Sequence, residues 1–232
     1  MIGDTTIIAA IALIIWPVVT IALFFTLGPV RGFIWSLLVG YLFLPARVGF
    51  DLPLLPAYTK YEAISYSMLL AILLAGQSRT KAPDFKLAAP GTRTLLLCLT
   101  GVLLLMPAMT FITNRDGVVM NGATLLGLGI PDYLVMMSNV VVPLIPFFIA
   151  RRWLATPENH TKFLTVLVML AFGYSLLAIF EVRMSPQLNR WFYGYFPHDW
   201  LQHIRGSSFR PIIFLNHGLS VGLFLFMATD SP

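Results

Sequence analysis

The sequence predicts an all-α, polytopic transmembrane helix bundle of about seven spans. Of the 232 residues, 58% are hydrophobic and 11% are charged, whereas soluble domains carry about 25% charged residues. Apolar segments long enough to cross roughly 30 Å of hydrocarbon recur along almost the whole chain, and the mean hydropathy is +0.82. These segments are continuous instead of alternating with a period of two, which favours helices over the strands of a barrel.

Seven apolar segments define the predicted spans, and the loops between them are polar or rich in proline and glycine. The spans are 5–27, 31–45, 62–77, 94–113, 133–150, 163–182 and 211–228. The second and third segments are short for a membrane crossing, which leaves open a tilted helix, a re-entrant helix, or a helix that extends beyond the segment. We expect the helices to form a single transmembrane domain over residues 1–232.

Basic residues predict how these helices are oriented. Those predicted on one side of the membrane are Arg31, Arg79, Lys81, Lys86, Arg93, Arg151, Arg152 and Lys162. Those predicted on the other side are Arg47, Lys60, Arg115, Arg183, Arg190, Arg205 and Arg210. Four of the second group lie in the single loop 183–211, and the remaining loops give eight basic residues against three. The positive-inside rule therefore places loops 77–93 and 151–162 in the cytoplasm and loop 183–211 outside.

The formal net charge of +5 raises the question of an acidic partner such as nucleic acid. The basic residues, however, lie at the ends of apolar segments, where they set orientation and meet anionic lipid. The sequence contains no basic stripe and no module of interleaved basic and aromatic residues. We therefore expect membrane lipid as a partner and no nucleic acid.

The loop at 183–211 and its flanks are the only part of the sequence where residues suited to chemistry are concentrated. From Glu181 the chain reads EVRMSPQLNRWFYGYFPHDWLQHIRGSSFRPIIFLNHGL, which holds three of the four histidines, four arginines and many aromatic residues. The aromatic residues are typical of a belt at the membrane interface. Stacking of Tyr193 or Tyr195 on a sugar ring is the alternative interpretation. We interpret this stretch as the functional loop.

Within this loop, Pro197 to Gly206 is predicted to form a short interfacial helix, because proline suits a first turn and glycine suits a helix end. At about 100° per residue, the residues on or beside the polar face are His198, Asp199, Gln202, His203 and Arg205. The residues on the apolar face are Trp200, Leu201 and Ile204. An amphipathic helix of this kind lies on a membrane surface with its polar face directed away from the lipid.

The last span is predicted to begin near Pro211, with a serine as its N-cap. Arg210 and His217 are seven residues apart, so they would share one face of that helix. Glu181 falls in the last turn of the preceding helix. Ionisable residues at membrane depth are by default functional or paired, so we expect Glu181 to pair with Arg210 or with His217.

Several of these residues also have a purely structural interpretation. Arg183 and Arg190, taken singly, are typical of side chains that anchor a helix at the lipid head groups. His198 and His203 have no third ligand at a recognised spacing, so no metal site is predicted. The joint occurrence of glutamate, arginine and histidine in one short stretch between two spans is what favours a functional role.

Three runs in this stretch carry a resemblance to a known family: RMSPQL, the YG–F–H–Q–R spacing, and FRP…HGL. Together they resemble the core segment of bacterial membrane proteins related to O-antigen ligases and polysaccharide polymerases. The LP…DLPLLP…K pattern at 44–60 is similar to the N-terminal region of the same group. Two features depart from the group: Asn189 stands where a histidine is expected, and the chain has fewer spans, as expected of a truncated or short relative.

The resemblance implies glycosyl transfer or polymerisation at the periplasmic face of the bacterial inner membrane. The implied donor is a polyprenyl-diphosphate-linked glycan, with no cofactor and no nucleotide sugar, and polysaccharide-export proteins are implied partners. Because a diphosphate leaving group develops negative charge that arginines can stabilise, the residues assigned to the diphosphate are Arg183, Arg205 and Arg210. Because an acceptor hydroxyl needs a base, the residues assigned to acceptor activation as catalytic groups are Glu181, His198, His203 and His217.

Two other functions remain open on the sequence, so whether the protein is an enzyme is not decided. A transporter or flippase for lipid-linked glycans would use the same charged residues to line a path, with broken helices and charges near the midplane. A non-catalytic membrane subunit of a polysaccharide-export complex, or an inactive truncated relative, would account for the small number of spans.

Overall fold

The computed structural model describes residues 6–51, 56–75, 90–120, 123–197, 199–206 and 208–229, and this part of the chain is mostly helical. The helices are α1 (Ile7–Leu27), α2 (Pro29–Phe43), α3 (Lys60–Ala75), α4 (Pro90–Thr113), α5 (Ile130–Trp153), α6 (Pro157–Met184), α7 (Leu188–Tyr193) and α8 (Gly218–Thr229). Antiparallel pairs of short strands lie between them: β1 (Gly49–Phe50) with β2 (Tyr58–Thr59), β3 (Val118–Met120) with β4 (Ala123–Leu125), and β5 (Ile204–Arg205) with β6 (Ser208–Phe209).

The prediction of a helical protein with membrane-spanning segments is confirmed at this level. Among the described residues, α1, α4, α5 and α6 are long and apolar enough to cross a membrane. Each of the other three predicted spans also contains a helix, but α2, α3 and α8 have only 15, 16 and 12 residues. A straight helix rises about 1.5 Å per residue, so each of these three helices is shorter than the hydrocarbon core of a bilayer is thick.

Helix α1 packs along both α2 and α3, and these three helices supply much of the buried apolar core. A hydrogen bond of 2.8 Å between the hydroxyls of Thr20 and Ser36 joins α1 to α2 inside this core. Helix α6 packs on α2 and α8, and α5 packs on α3 and α4. Helix α4 is largely exposed and contacts the bundle mainly through α5, as expected for a helix at the lipid-facing edge.

The turn between α1 and α2 depends on two glycines. Gly28 has a φ of +79°, a backbone conformation that side chains disfavour. Four residues later, a Cβ on Gly32 would lie 2.8 Å from the Cα of Phe24 and 2.9 Å from the carbonyl oxygen of Leu23. Both are backbone atoms, which cannot rotate away, so the close approach of α1 and α2 requires glycine at position 32.

We therefore expect Gly32→Ala to lower the free energy of unfolding by about 1–3 kcal/mol, the usual cost of an overpacked contact. The matched control is Gly101→Ala in α4, where an added Cβ would meet nothing within 4 Å. That control should leave stability unchanged or raise it by up to about 1 kcal/mol through helix propensity. Thermal unfolding of the purified chain in detergent measures both, and equal melting temperatures would contradict the close approach.

One end of the bundle, which we call the loop end, is where α7 packs against the ends of other helices. The hydroxyl of Thr6 donates to the carbonyl of Tyr193 at 2.6 Å. The Tyr193 hydroxyl donates to the carbonyl of Phe43, and the Tyr195 hydroxyl to that of Ala46, both at 2.6 Å. Burial raises the pKa of Tyr193 to about 12, so its hydroxyl remains a donor at neutral pH. These tyrosines fasten the loop to α2 instead of projecting from it.

The predicted helix over Pro197 to Gly206 is wrong. The structure has a 3₁₀ turn at Trp200–His203, followed by the β5–β6 hairpin. The Asp199 carboxylate accepts the N–H of Leu201 at 3.2 Å, which starts the turn, and Gly206 has a φ of +59° in the hairpin loop. A two-residue hairpin turn favours a positive φ at its first position, so the glycine that suggested a helix end serves the hairpin.

The last helix also begins later than predicted. Residues 211–217 are not helical, and α8 starts at Gly218. Ile213 has a φ of +57°, a strained conformation for a β-branched residue that persists only where surrounding contacts impose it. Arg210 and His217 therefore do not share a helix face, and a serine does not cap a helix near Pro211.

Candidate functional site

Glu181 holds the 211–217 segment in its irregular conformation. It is 1% exposed near the end of α6. One carboxylate oxygen accepts the N–H of Leu188 at 3.0 Å, and the other accepts those of Ile212 and Ile213, each at 2.8 Å. The expected pair of Glu181 with Arg210 or His217 is wrong, because the carboxylate oxygens bind backbone donors instead. Glu181 is thus a positioning residue for the segment that carries His217.

The structure does bring His203, Arg210 and His217 together. The N–H of Arg210 donates to the carbonyl of His203 at 2.8 Å, which closes the β5–β6 hairpin. The ring centroids of His203 and His217 are 6.3 Å apart, and Phe196 meets the His203 ring edge-on at 5.6 Å. We call these three residues the His–Arg cluster.

Hydrogen bonds assign different roles to the two imidazoles of this cluster. Nδ1 of His203 lies 3.3 Å from the carbonyl oxygen of Arg210, and a carbonyl only accepts, so Nδ1 is the donor and a neutral ring has its lone pair at Nε2. Nδ1 of His217 accepts the N–H of Leu219 at 3.1 Å, so a neutral His217 has its proton at Nε2. His203 is fully buried, whereas His217 is partly exposed.

Arg210 is positioned by the glycine that begins α8. A Cβ on Gly218 would lie 2.3 Å from both the Cγ and the Cδ of Arg210 and 2.9 Å from the carbonyl oxygen of Pro211. The aliphatic part of the arginine side chain therefore crosses the backbone of position 218. Only a residue without a side chain allows this placement.

The structure does not place the other predicted site residues in this cluster. Arg183 is exposed at the end of α6, and Arg190 is exposed on α7. The backbone of Arg205 lies in β5, but its side chain is outside the described part of the chain, and His198 lies outside the described residues altogether. Within the described residues there is no group of three or more His, Cys, Asp or Glu that could hold a metal ion.

Sequence reasoning missed a cavity of about 660 Å³ at the loop end, between α2, α3 and α5. It is lined by polar and charged residues near the start of α3 and by an apolar face of α5 deeper in the bundle. Its polar lining includes Tyr41, Arg47, Thr59, Lys60, Tyr61, Glu62, Ser65, Asn139 and Asn216. Its apolar lining is made of Leu37, Pro56, Ala57, Ile64, Val135, Val142, Pro143 and Pro146.

Lys60 is the buried cation of this cavity, at the first residue of α3. It is 2% exposed, and its ammonium donates to the carbonyl of Tyr41 at 3.1 Å. The ammonium also lies 5.2 Å and 5.6 Å from the ring centres of Tyr41 and Tyr61, within the range of a cation–π contact. Among the described residues the ammonium has no carboxylate partner.

The nearby carboxylate, Glu62, is bound elsewhere. It accepts the N–H of Thr59 at 3.0 Å and also the Thr59 hydroxyl, so it caps the first turn of α3. Lys60 and Arg47 line the cavity as cations, and Glu62 lines it as a carboxylate whose hydrogen bonds are made with Thr59.

Prolines in α5 shape the opposite wall. Pro146 has no N–H, so the carbonyl of Val142 loses its helical donor. The hydroxyl of Ser65 in α3 donates to this carbonyl at 2.9 Å and replaces the missing bond. Pro143 removes the helical donor of Asn139 in the same way.

Asn216 joins the cavity to the His–Arg cluster. Its side-chain N–H donates to the Tyr61 hydroxyl at 2.8 Å, and it precedes His217 in the chain. Its side-chain oxygen is buried and has no hydrogen-bond partner among the residues that the structure describes, so an acceptor is available there where the cavity and the cluster meet. The 181–217 region and the α2–α3–α5 cavity are thus two parts of one polar assembly at the loop end.

No protein-family model, no curated protein and no solved structure matches this chain.

Proposed function

We propose that this chain is a membrane glycan ligase or polymerase that acts on a polyprenyl-diphosphate-linked saccharide. In this proposal seven helices, including the short α2, α3 and α8, form the membrane domain, and the loop end faces the periplasm across the bacterial inner membrane. The supporting observation is the convergence of His203, Arg210 and His217 near a cavity that two cations line, with Asn216 as the residue between them. This combination suits an interfacial enzyme that acts on an anionic lipid-linked donor.

In the proposed reaction, an acceptor hydroxyl attacks the anomeric carbon of the donor sugar. A new C–O bond forms, the bond from that carbon to the diphosphate oxygen breaks, and polyprenyl diphosphate leaves with the electron pair. The hydroxyl proton passes to Nε2 of His203, the ring nitrogen that carries the lone pair. The guanidinium of Arg210 and the Nε2 proton of His217 stabilise the charge that develops on the diphosphate.

The test is product formation in vesicles that carry lipid-linked donor and acceptor. Arg210→Ala and His217→Ala should each lower the rate by about 10²-fold or more, since removal of one donor to a developing anion costs that much. Membrane insertion should be unchanged. Arg115→Ala is the matched control, because Arg115 packs over the ring of Phe111 away from the His–Arg cluster. Normal rates in both site variants would overturn the proposal.

A second candidate, transport of a lipid-linked glycan, is favoured by one specific observation. The backbone at 211–217 is irregular and largely buried and leads into the short helix α8, and interrupted helices are typical of transporter binding sites. The same vesicles separate the two functions, because a transporter moves the donor across the bilayer without changing its glycan length. Translocation without product would favour this candidate.

A further inference from the structure

We propose that the α2–α3–α5 cavity is the binding site for the phosphorylated head group of the lipid-linked donor, with Lys60 as the cation that pairs with its phosphate. This assigns donor recognition to a part of the chain outside the 183–211 loop. The identity of the lipid rests on the proposed function, whereas phosphate binding by Lys60 does not.

The burial of Lys60 is the first step of the inference. An ammonium has three N–H donors, and within the described residues one of them has a hydrogen-bond acceptor, the carbonyl of Tyr41. Burying a charge without an opposite charge is strongly unfavourable, and two tyrosine rings compensate only in part. A phosphate in the cavity would supply the missing acceptors and the missing negative charge.

The distribution of charge in the cavity is the second step. Arg47 and Lys60 both line it, while Glu62 is occupied by Thr59. The described lining of α5 contributes no acidic residue, only Asn139 as a polar group. Two cationic side chains against one carboxylate favour an anion in the cavity, and lysine and arginine are the side chains that typically recognise phosphate.

Size and polarity indicate an amphiphile instead of a free anion. A volume of about 660 Å³ exceeds what a phosphate alone would fill and lies in the usual range for sites of small molecules, roughly 300–1,000 Å³. Apolar residues of α5, Val135, Val142, Pro143 and Pro146, line the same cavity as the cations. Tyr41, Tyr61 and Val135 are exposed at its edge, so an alkyl chain can leave sideways while the head group stays at the cations.

The experiment is equilibrium binding of radiolabelled polyprenyl diphosphate to the full chain in nanodiscs of neutral lipid. Lys60→Met should weaken binding by about tenfold or more, the contribution of one charge-assisted hydrogen bond, and Lys60→Arg should retain most of the affinity. Lys162→Met is the matched control, since Lys162 pairs with Glu158 near the start of α6.

Competing ligands identify what is recognised. Inorganic pyrophosphate should displace the labelled lipid, because it presents the same anion, whereas phosphatidylglycerol should compete weakly. Equal affinity of Lys60→Met and the wild type for the labelled lipid, or no displacement by pyrophosphate, would overturn the proposal. Phosphatidylglycerol binding as tight as that of the labelled lipid would make the cavity a general lipid site and would overturn its assignment to the donor. Lys60-dependent binding without glycan transfer would support phosphate binding in the cavity and contradict the proposed enzyme activity. Normal glycan transfer by Lys60→Met would support the enzyme activity and contradict the role of Lys60 in donor binding.

Discussion

Replacing Glu181 with alanine is expected to release the 211–217 segment and to cause one of the largest losses of stability of any single substitution in the chain. Three buried backbone N–H groups, those of Leu188, Ile212 and Ile213, depend on its carboxylate. A stranded buried N–H costs about 1–3 kcal/mol, so the free energy of unfolding should fall by roughly 3 kcal/mol or more. The strained φ of Ile213 would then no longer be imposed, and the segment should relax.

The same helix offers a matched control for Glu181. Glu158 in α6 is 79% exposed and pairs with Lys162 at 2.6 Å, so Glu158→Ala should leave the free energy of unfolding close to that of the wild type. Glu181→Gln should fall between the two alanine variants, because an amide keeps one acceptor oxygen and places an N–H₂ against a backbone donor. Unfolding in detergent and hydrogen exchange at 212 and 213 measure the difference. Unchanged exchange in Glu181→Ala would show that the segment holds itself.

Gly218→Ala is expected to displace Arg210 and to abolish most of the proposed activity without removing any functional group. The new Cβ would lie 2.3 Å from two carbons of the Arg210 side chain, which cannot both rotate away while the guanidinium stays in place. A misplacement of about 1 Å at a reacting centre can cost about 10²-fold in rate. Overpacking should also lower the free energy of unfolding by about 1–3 kcal/mol.

Gly222→Ala, one turn later in α8, is the control for this prediction. A Cβ there would meet nothing within 4 Å, so both the rate and the melting temperature should remain as in the wild type. Product formation in donor-loaded vesicles and unfolding in detergent are measured on the same preparations. If Gly218→Ala retained the wild-type rate, the position of Arg210 would have no bearing on turnover.

The helices were predictable because their signal is local. Long apolar segments determine where α1, α4, α5 and α6 form, and those predictions needed only composition and length. The start of α8 was not predictable in this way, because the donors at Ile212 and Ile213 bind a carboxylate that lies 31 and 32 residues earlier. Proline at 211 and an apolar run favour a helix locally, and a tertiary contact overrides that preference.

The candidate site was predictable in part for the same reason. The sequence placed His203 on one predicted helix and Arg210 with His217 on the next, whereas a hairpin contact and not a helix face brings the three residues together. The cavity was missed because Lys60 was assigned to a loop before a short span. The sequence signals of the cavity were a lysine followed two residues later by a glutamate at the start of one apolar segment, and two prolines three residues apart in another apolar segment. Neither signal indicates which helices face each other.

Helix α5 forms the side of the bundle that bends more readily. The carbonyls of Asn139 and Val142 both lack their helical amide donor, which lowers the resistance of α5 to bending. The hydroxyl of Ser65 in α3 donates to the carbonyl of Val142. The α1–α2–α3 side is by contrast closely interlocked through Gly32 and the Thr20–Ser36 bond. Binding of a bulky ligand between the helices would therefore move α5, and α4 would move with it at the membrane edge. The α1–α2–α3 side would keep its position.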